Sequence, residues 1–424
     1  MVVSTNNNLI IPPYIPHIIE QHAEEAAFLW ILRSHAVRAP HYRLKDLAKL
    51  DNRVEAHLDG LRVAGPLGWE LCERALTIGE SGEVFAAALL ALDSKDPQKL
   101  AKIISIAEHS VDASKGLVSA LGWTDPSKLS GTVKHLLESN SSFHQLIGIS
   151  ACAVHRVNPG KILETLIHDK NAPLPLRARA LRAVGELKRR DLIHQLRDYF
   201  QDTEASIRFW AAWSSALLGN RSEALEVLKT FVVLGPRLFP ALPVLLRVLP
   251  VSDSKTLLQG LAQYPERQRD LVAGAGMIGD PLYVPWLIKQ MANPELARLA
   301  GESFSLITGA DIAYEDLDRD KPEGFEAGPT ENPEDDDVAL ESDENLAWPD
   351  PQKVQAWWTA REHNFQSGSR YLLGAPITET QCRKVLREGF QTQRAAAALE
   401  LALLKPDEPL FEVRAPGWRQ QRLL

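Results

Sequence analysis

Three features of the sequence predict an all-α chain assembled from repeated helix pairs. The first is a turn. A capping side chain followed by proline recurs at Asp96-Pro97, Asp125-Pro126, Asn158-Pro159 and Asp280-Pro281, with Gly65-Pro66 as a weaker copy. Asp or Asn suits the N-cap of a helix and proline its first position, so each copy reads as the start of a second helix. Steps between the prolines are 31, 29 and 33 residues, then 122, which is four units of about 30.5. The second feature is an apolar residue three after a proline (Leu100, Leu129, Ile162, Val284), which falls on one helical face. The third is the helix before the turn. Leu176, Ala180, Ala183, Val184 and Leu187 define a spacing. It returns from Ile207 (Ala211, Ser214, Ser215, Leu218), Leu238 (Leu242, Leu245, Leu246, Leu249), Arg267 (Leu271, Gly274, Ala275, Ile278) and Ala297 (Gly301, Phe304, Ser305, Thr308). No alternation of period two competes with it.

The gap between Pro159 and Pro281 holds three further turns, around Arg190, Asn220 and Ser252. Helix pairs at this spacing read as a HEAT-like α-solenoid of about nine units over residues 53–315. The period is short for HEAT repeats and fits the compact units of the phycobilin-lyase type better. Leu181 and Leu245 are expected to be buried between neighbouring units. Each repeat buries its apolar face only against neighbours, so residues 1–52, with "PHIIEQHAEEAAFLWILRSHA", are expected to form an N-terminal helical cap. Residues 316–350 are acidic and proline-rich, with the run Glu334-Asp335-Asp336-Asp337, and are expected to be an extended, poorly ordered linker. Residues 351–424 read as a C-terminal helical module, either a fixed cap or a mobile arm. In it Asp350-Pro351 opens a helix, "PQKVQAWWTAREHNF", and a second, "ETQCRKVLREGFQTQRAAAALELALL", follows the turn-like "SGSRYLLGAPIT".

The 424 residues are 45% apolar and 24% charged, with a net charge of −8. That balance suits a globular chain and argues against a general binder of nucleic acid or anionic membrane. The start shows no basic region followed by an apolar one, so no signal peptide is expected. The most apolar run, 231–251, carries Arg237, Arg247 and several prolines, which excludes a membrane span there. Cys72, Cys152 and Cys382 lie far apart without a CxxC, as reduced thiols of a cytoplasmic protein would.

Candidates for chemistry are weak. His17, His22, His35, His41 and His57 crowd the N-terminal segment near Glu24, Glu25, Asp51 and Asp59, but no HExxH or comparable ligand spacing appears. They read as surface and packing histidines. Cys152 lies three residues before His155 on one helix face, yet among core positions. "GAGMIG" (274–279) lies in a helical register, where small residues serve tight packing. No catalytic residue, cofactor or metal is therefore expected. The most basic and aromatic zone holds Arg177, Arg179, Arg182, Lys188, Arg189 and Arg190, then Arg208, Trp210 and Trp213. Arginine and aromatic residues are frequent anchors of protein interfaces. Arg177, Arg179, Arg182, Arg208 and Trp210, with Trp357, Trp358, Arg370 and Tyr371 further on, are accordingly the candidate partner-binding residues.

"AHLDGLRVAG" (56–65), "GDP" with "ARLAGESFSLITGADI" (297–312), "WPDPQKVQAWW", "SRYLLGAPIT" and "RAAAALELALL" together resemble a proteobacterial family of HEAT-repeat proteins. Genes of that family are often found near type VI secretion spike and effector genes. The resemblance covers almost the whole chain and implies an accessory role in loading or delivering cargo, with a spike or effector protein as partner. The family has no established catalytic residues. The sequence thus points to a non-enzymatic scaffold or adaptor. A HEAT-like DNA-binding or DNA-glycosylase-type protein is the main rival, and a lyase-type small-molecule scaffold is third.

Overall fold

The computed structural model describes residues 14–233, 240–325, 341 and 343–424. Among these the chain is all-α, with twenty-two α-helices, short 3-10 turns and one two-stranded ribbon. It divides into two compact units, Met1–Ala36 with Lys45–Ile147, and Val37–Leu44 with Gly148–Leu424.

The first unit contains α1 (Pro16–Ala36), α2 (Leu44–Ala64), α3 (Pro66–Ala75), α4 (Ser81–Ser94), α5 (Pro97–Glu108), α6 (Val111–Trp123) and α7 (Pro126–Glu138). Helix α1 packs on α3 and α4, and α4 packs on both α5 and α6. Helix α2 runs unbroken through the expected cap boundary at residue 52. Leu47, Leu50, Val54, Leu58 and Leu61 form one continuous buried stripe along it.

Next come α8 (Ser142–His155), α9 (Lys161–His168), α10 (Leu174–Glu186), α11 (Ile193–Leu196), α12 (Ala205–Leu217) and α13 (Glu223–Val233). They are followed by α14 (Ala241–Val248), α15 (Val251–Leu261), α16 (Gln268–Ile278), α17 (Val284–Gln290) and α18 (Pro294–Thr308). In the second unit α10 packs on α9 and α12, α12 on α13 and α14, α14 on α15 and α16, and α16 on α17 and α18. One helix of each pair thus meets both its own partner and its counterpart in the next pair. The close approaches use small residues. A Cβ on Gly185 would lie 2.7 Å from Ser214 Cα, and one on Gly276 would lie 2.9 Å from Ser303 Cα. Leu181 and Leu245 are fully buried.

The backbone carries its own periodicity. A residue in the left-handed region follows, within two positions, the ends of α4, α8, α10, α12, α16 and α18. These are Lys95, Arg156, Lys188, Gly219, Gly279 and Gly309. Their spacings, 61, 32, 31, 60 and 30, are one or two lengths of the sequence repeat. This conformation closes a helix by letting the chain turn back onto its last carbonyls.

Three of the five turn prolines stand as expected at the first helical position: Pro66, Pro97 and Pro126. Asp96 accepts from the amides of Gln98 and Lys99, and Asp125 from that of Ser127. Pro281 opens a 3-10 turn that runs into α17, with Asp280 accepting from Leu282 N (3.0 Å). Pro159 departs from the expectation. Asn158 accepts from Gly160 N (2.9 Å) in a local turn, Gly160 takes φ 77°, and α9 begins only at Lys161. Leu238 and the run Glu334–Asp337 lie outside the described residues.

The described flanks of 316–350 are not an extended linker. Arg319 N donates to Trp348 O and Asp350 N to Leu317 O, each at 2.8 Å. Leu317 and Asp343 are buried. Arg269 of α16 ion-pairs with Asp343 at 2.6 Å, and Arg298 of α18 pairs with Glu341. Acidic side chains there find arginines on the preceding helices, which a composition argument cannot foresee.

The chain ends in α19 (Pro351–Arg361), a ribbon of β1 (Tyr371–Leu372) and β2 (Ala375–Pro376), α20 (Glu379–Glu388), α21 (Gln391–Leu404) and α22 (Gly417–Leu423). The ribbon corrects the helix-and-turn expectation. Leu373 and Gly374, at φ 49° and 79°, make the tight hairpin turn that two positive φ values favour. The single helix expected over 379–404 breaks at Gly389, and Phe390 stands at the N-cap of α21 with its amide held by Gln393 Oε1 (3.0 Å).

This segment covers helix ends. The last carbonyls of a helix have no partner within it. Arg370 donates from Nε to Ile278 O (2.9 Å) and from Nη1 to Arg247 O (2.8 Å). Tyr371 N donates to Gly279 O (2.8 Å), Leu373 N to Leu306 O (2.8 Å), Gly374 N to Ile307 O (2.9 Å) and Leu410 N to Glu186 O (3.0 Å). Lys188 Nζ reaches both Leu217 O and Ala402 O. The C-terminal segment is therefore seated across the ends of α10, α12, α14, α16 and α18, within one compact unit.

Candidate functional site

The basic zone of the sequence separates into two groups. Arg177 ion-pairs with Asp202 (3.4 Å), and Arg208 donates to Thr203 O (2.9 Å) and Asp202 O. Both brace the loop that enters α12. Arg179, Arg182 and Trp210 converge elsewhere. On α10, residues 179, 182 and 186 share a face, so Arg179 Nη1 (3.0 Å) and Arg182 Nε (2.8 Å) both reach the carboxylate of Glu186. Glu186 is 1% exposed. The Arg182 guanidinium lies over the Trp210 ring at 4.7 Å, and Trp210 meets Trp213 and Phe209 edge-on.

A second carboxylate completes the cluster. Arg156, in its left-handed turn after α8, donates from Nη2 to Glu412 (3.2 Å), and Arg414 grips the same carboxylate through Nε (2.7 Å) and Nη2 (2.9 Å). Four guanidiniums thus surround two carboxylates. Burial alone would push Glu186 up, but Arg179, Arg182 and Arg156 together hold it below the usual carboxylate range. Glu412 is likewise driven up by burial and brought well below that range by Arg414 and Arg156. Both are carboxylates at neutral pH, and each is fully engaged in ion pairs. What the cluster presents outward is cationic and aromatic: Arg182, whose side chain is 34% exposed, Arg414 at 42%, and the partly covered Trp210.

The other candidates have structural partners. Trp357 Nε1 donates to Glu315 (2.7 Å) and its ring meets Phe304 at 5.5 Å. Trp358 is buried against Phe365, which also packs on the buried Tyr371. Arg370 binds helix ends as above and ion-pairs with Glu400, which also pairs with the buried Arg247 (3.4 Å). Arg156, Glu412 and Arg414 escaped the sequence reading. "FEVRAPGW" spaces Glu412 and Arg414 two apart in an irregular segment, more than 200 residues from α8 and α10.

Cys152 is buried, and burial pushes its thiol up to about 11 despite the opposing charge of Arg179. At neutral pH it is a thiol and a poor nucleophile. "GAGMIG" lies in α16 up to Ile278, with Gly279 closing it. His22 and His57 meet, Nδ1 to Nδ1, at 3.1 Å. No helix among the described residues is long and apolar enough to cross a membrane. No family model, curated protein or solved structure matches the chain.

Proposed function

We propose that this protein is a non-enzymatic scaffold of HEAT-like helix repeats that binds another protein, and that the Arg182–Trp210–Arg414 face takes an acidic segment of that partner. The repeat reading is supported by the left-handed helix ends at multiples of about 31 residues and by the packing of alternate helices. The observation that carries the binding role is the local charge. A chain of net charge −8 concentrates four arginines around two carboxylates and leaves two of them, Arg182 and Arg414, partly exposed near a tryptophan. Glu186 and Glu412 fix those guanidiniums in place, so a partner carboxylate meets donors that are already oriented. The cytoplasmic accessory role in type VI secretion, with a spike or effector protein as partner, is the context that the sequence resemblance favours. The DNA-glycosylase alternative needs a free carboxylate beside the basic face, and both carboxylates here are consumed in ion pairs.

Charge reversal tests the reading. Wild-type protein and the Arg182→Glu/Arg414→Glu double variant are each used as bait in host lysate, and captured proteins are re-tested as purified components. The proposal expects at least one purified partner to bind the wild type and to lose affinity tenfold or more for the variant, about 1.4 kcal/mol. Equal binding by both, or loss of DNA binding instead of protein binding, overturns it.

A further inference from the structure

We propose that His22 and His57 form a two-ligand site for a divalent transition-metal ion of the imidazole-preferring kind: copper, nickel or zinc. His22 lies on α1 and His57 on α2, and their Nδ1 atoms stand 3.1 Å apart with the rings 70° from parallel. At metal–nitrogen bonds of about 2.0–2.1 Å, a 3.1 Å edge subtends roughly 95–100° at the ion, between the octahedral and tetrahedral angles. The nitrogen-to-nitrogen spacing thus already matches that of two adjacent coordination positions. Both rings are partly exposed, which leaves the other positions to water.

The helix opposite makes room for this arrangement. Gly60, three residues after His57 on α2, faces the His22 ring, and a Cβ there would lie 2.5 Å from His22 Cδ2. A glycine in a helix interior costs about 1 kcal/mol against alanine. Here it buys the imidazole its place. Glu25, one turn after His22, brings negative charge near the pair, while Arg53 opposes it. No group of three or more His, Cys, Asp or Glu among the described residues is placed to hold a metal ion. The protein therefore supplies two ligands, and the site is an exchangeable one rather than a permanent structural centre. Hard cations that prefer oxygen, such as magnesium and calcium, are excluded by the ligand chemistry.

The test uses the full chain with CuSO4, ZnCl2 and MgCl2 as separate titrants in calorimetry, and with 63Cu2+ in electron paramagnetic resonance. Wild type, His22→Asn, His57→Asn and Gly60→Ala are compared after circular dichroism confirms equal helicity. The proposal expects a wild-type copper and zinc site that both histidine variants weaken tenfold or more, hyperfine coupling to two nitrogens, a weakened Gly60→Ala site and no magnesium binding. The wild-type signal being retained in either histidine variant, or coupling to a single nitrogen, overturns it. Absence of any wild-type site does the same and leaves the 3.1 Å contact as an N–H···N hydrogen bond. If one histidine variant fails to fold, the other and the copper spectrum still decide.

Discussion

Arg370→Met asks whether the C-terminal segment is a fixed part of the protein. The arginine makes three contacts that methionine cannot: Ile278 O at 2.9 Å, Arg247 O at 2.8 Å and the Glu400 carboxylate. Methionine keeps much of the apolar stem, so the loss is mainly polar. A hydrogen bond from a charged donor contributes about 1.5–3 kcal/mol net, and the two carbonyls left behind are helix ends with no inner partner. Glu400 keeps Arg247, so no lone buried charge results, which spares the larger penalty of a broken buried pair. The Arg370 side chain is 21% exposed, and water replaces part of what is lost. A cost of about 2–4 kcal/mol follows. In a unit of this size that lowers the thermal midpoint by about 3–7 °C. Thermal denaturation followed by circular dichroism measures it, and limited proteolysis between residues 362 and 378 should accelerate. A midpoint within about 1 °C of wild type, with unchanged proteolysis, would refute the account of helix ends closed by this segment.

Three further outcomes follow from the packing and from one buried amine. Leu181→Ala and Leu245→Ala should each cost about 2–5 kcal/mol in urea denaturation, because both side chains are fully buried. An unchanged midpoint in either would contradict the assigned core. Gly185→Ala should destabilise despite the better helix propensity of alanine, since overpacking of about 1–3 kcal/mol against Ser214 outweighs a gain of about 1. A more stable variant would mean that α10 and α12 are not in close contact. Burial brings the Lys188 amine down to about 7, with Arg221 and Arg190 adding to the effect and Asp407 opposing it. Unfolded, the amine titrates near its ordinary 10.5, so between these values the unfolded state holds a proton that the folded state lacks. Stability therefore rises with pH from 7 to 10.5 and is level below 7, with a slope of up to about 1.4 kcal/mol per pH unit. Urea midpoints at pH 7, 8 and 9 should show this slope in wild type and not in Lys188→Met, and equal slopes would refute it.

Local chemistry was legible in the sequence, and long-range pairing was not. Asp96, Asp125 and Asp280 cap their helices as their position before proline implied, because capping involves only the next few residues. Asn158 looked the same but closes a local turn through Gly160, an alternative that Asx side chains always offer. Half of the left-handed helix ends carry no glycine to mark them in the sequence, since Lys95, Arg156 and Lys188 occupy them. In two of these the long basic side chain then reaches nearby carbonyls, an interaction that glycine would lack. In the candidate site, Arg179, Arg182 and Trp210 could be read from helical spacing. Their counterparts Glu412 and Arg414 sit in irregular chain, where no periodicity points back to α10. Composition also misleads at Asp343, an acidic residue that is buried because Arg269 meets it.

The closing of helix ends by residues 370–412 also sets an order of events during synthesis. Lys188 and Ala402 are 214 positions apart, and Arg156 and Leu410 are 254 apart. Helices α10 to α18 therefore leave the ribosome and begin to pack while their last carbonyls are still open. Loop closure over such separations is slow compared with helix formation, and partly closed intermediates are prone to association. A ribosome that stalls before residue 370 would release a chain with nearly all of its helices and none of its seal. The carbonyls at the ends of α10, α14, α16 and α18 thus wait for a strap that is made long after the helices it closes.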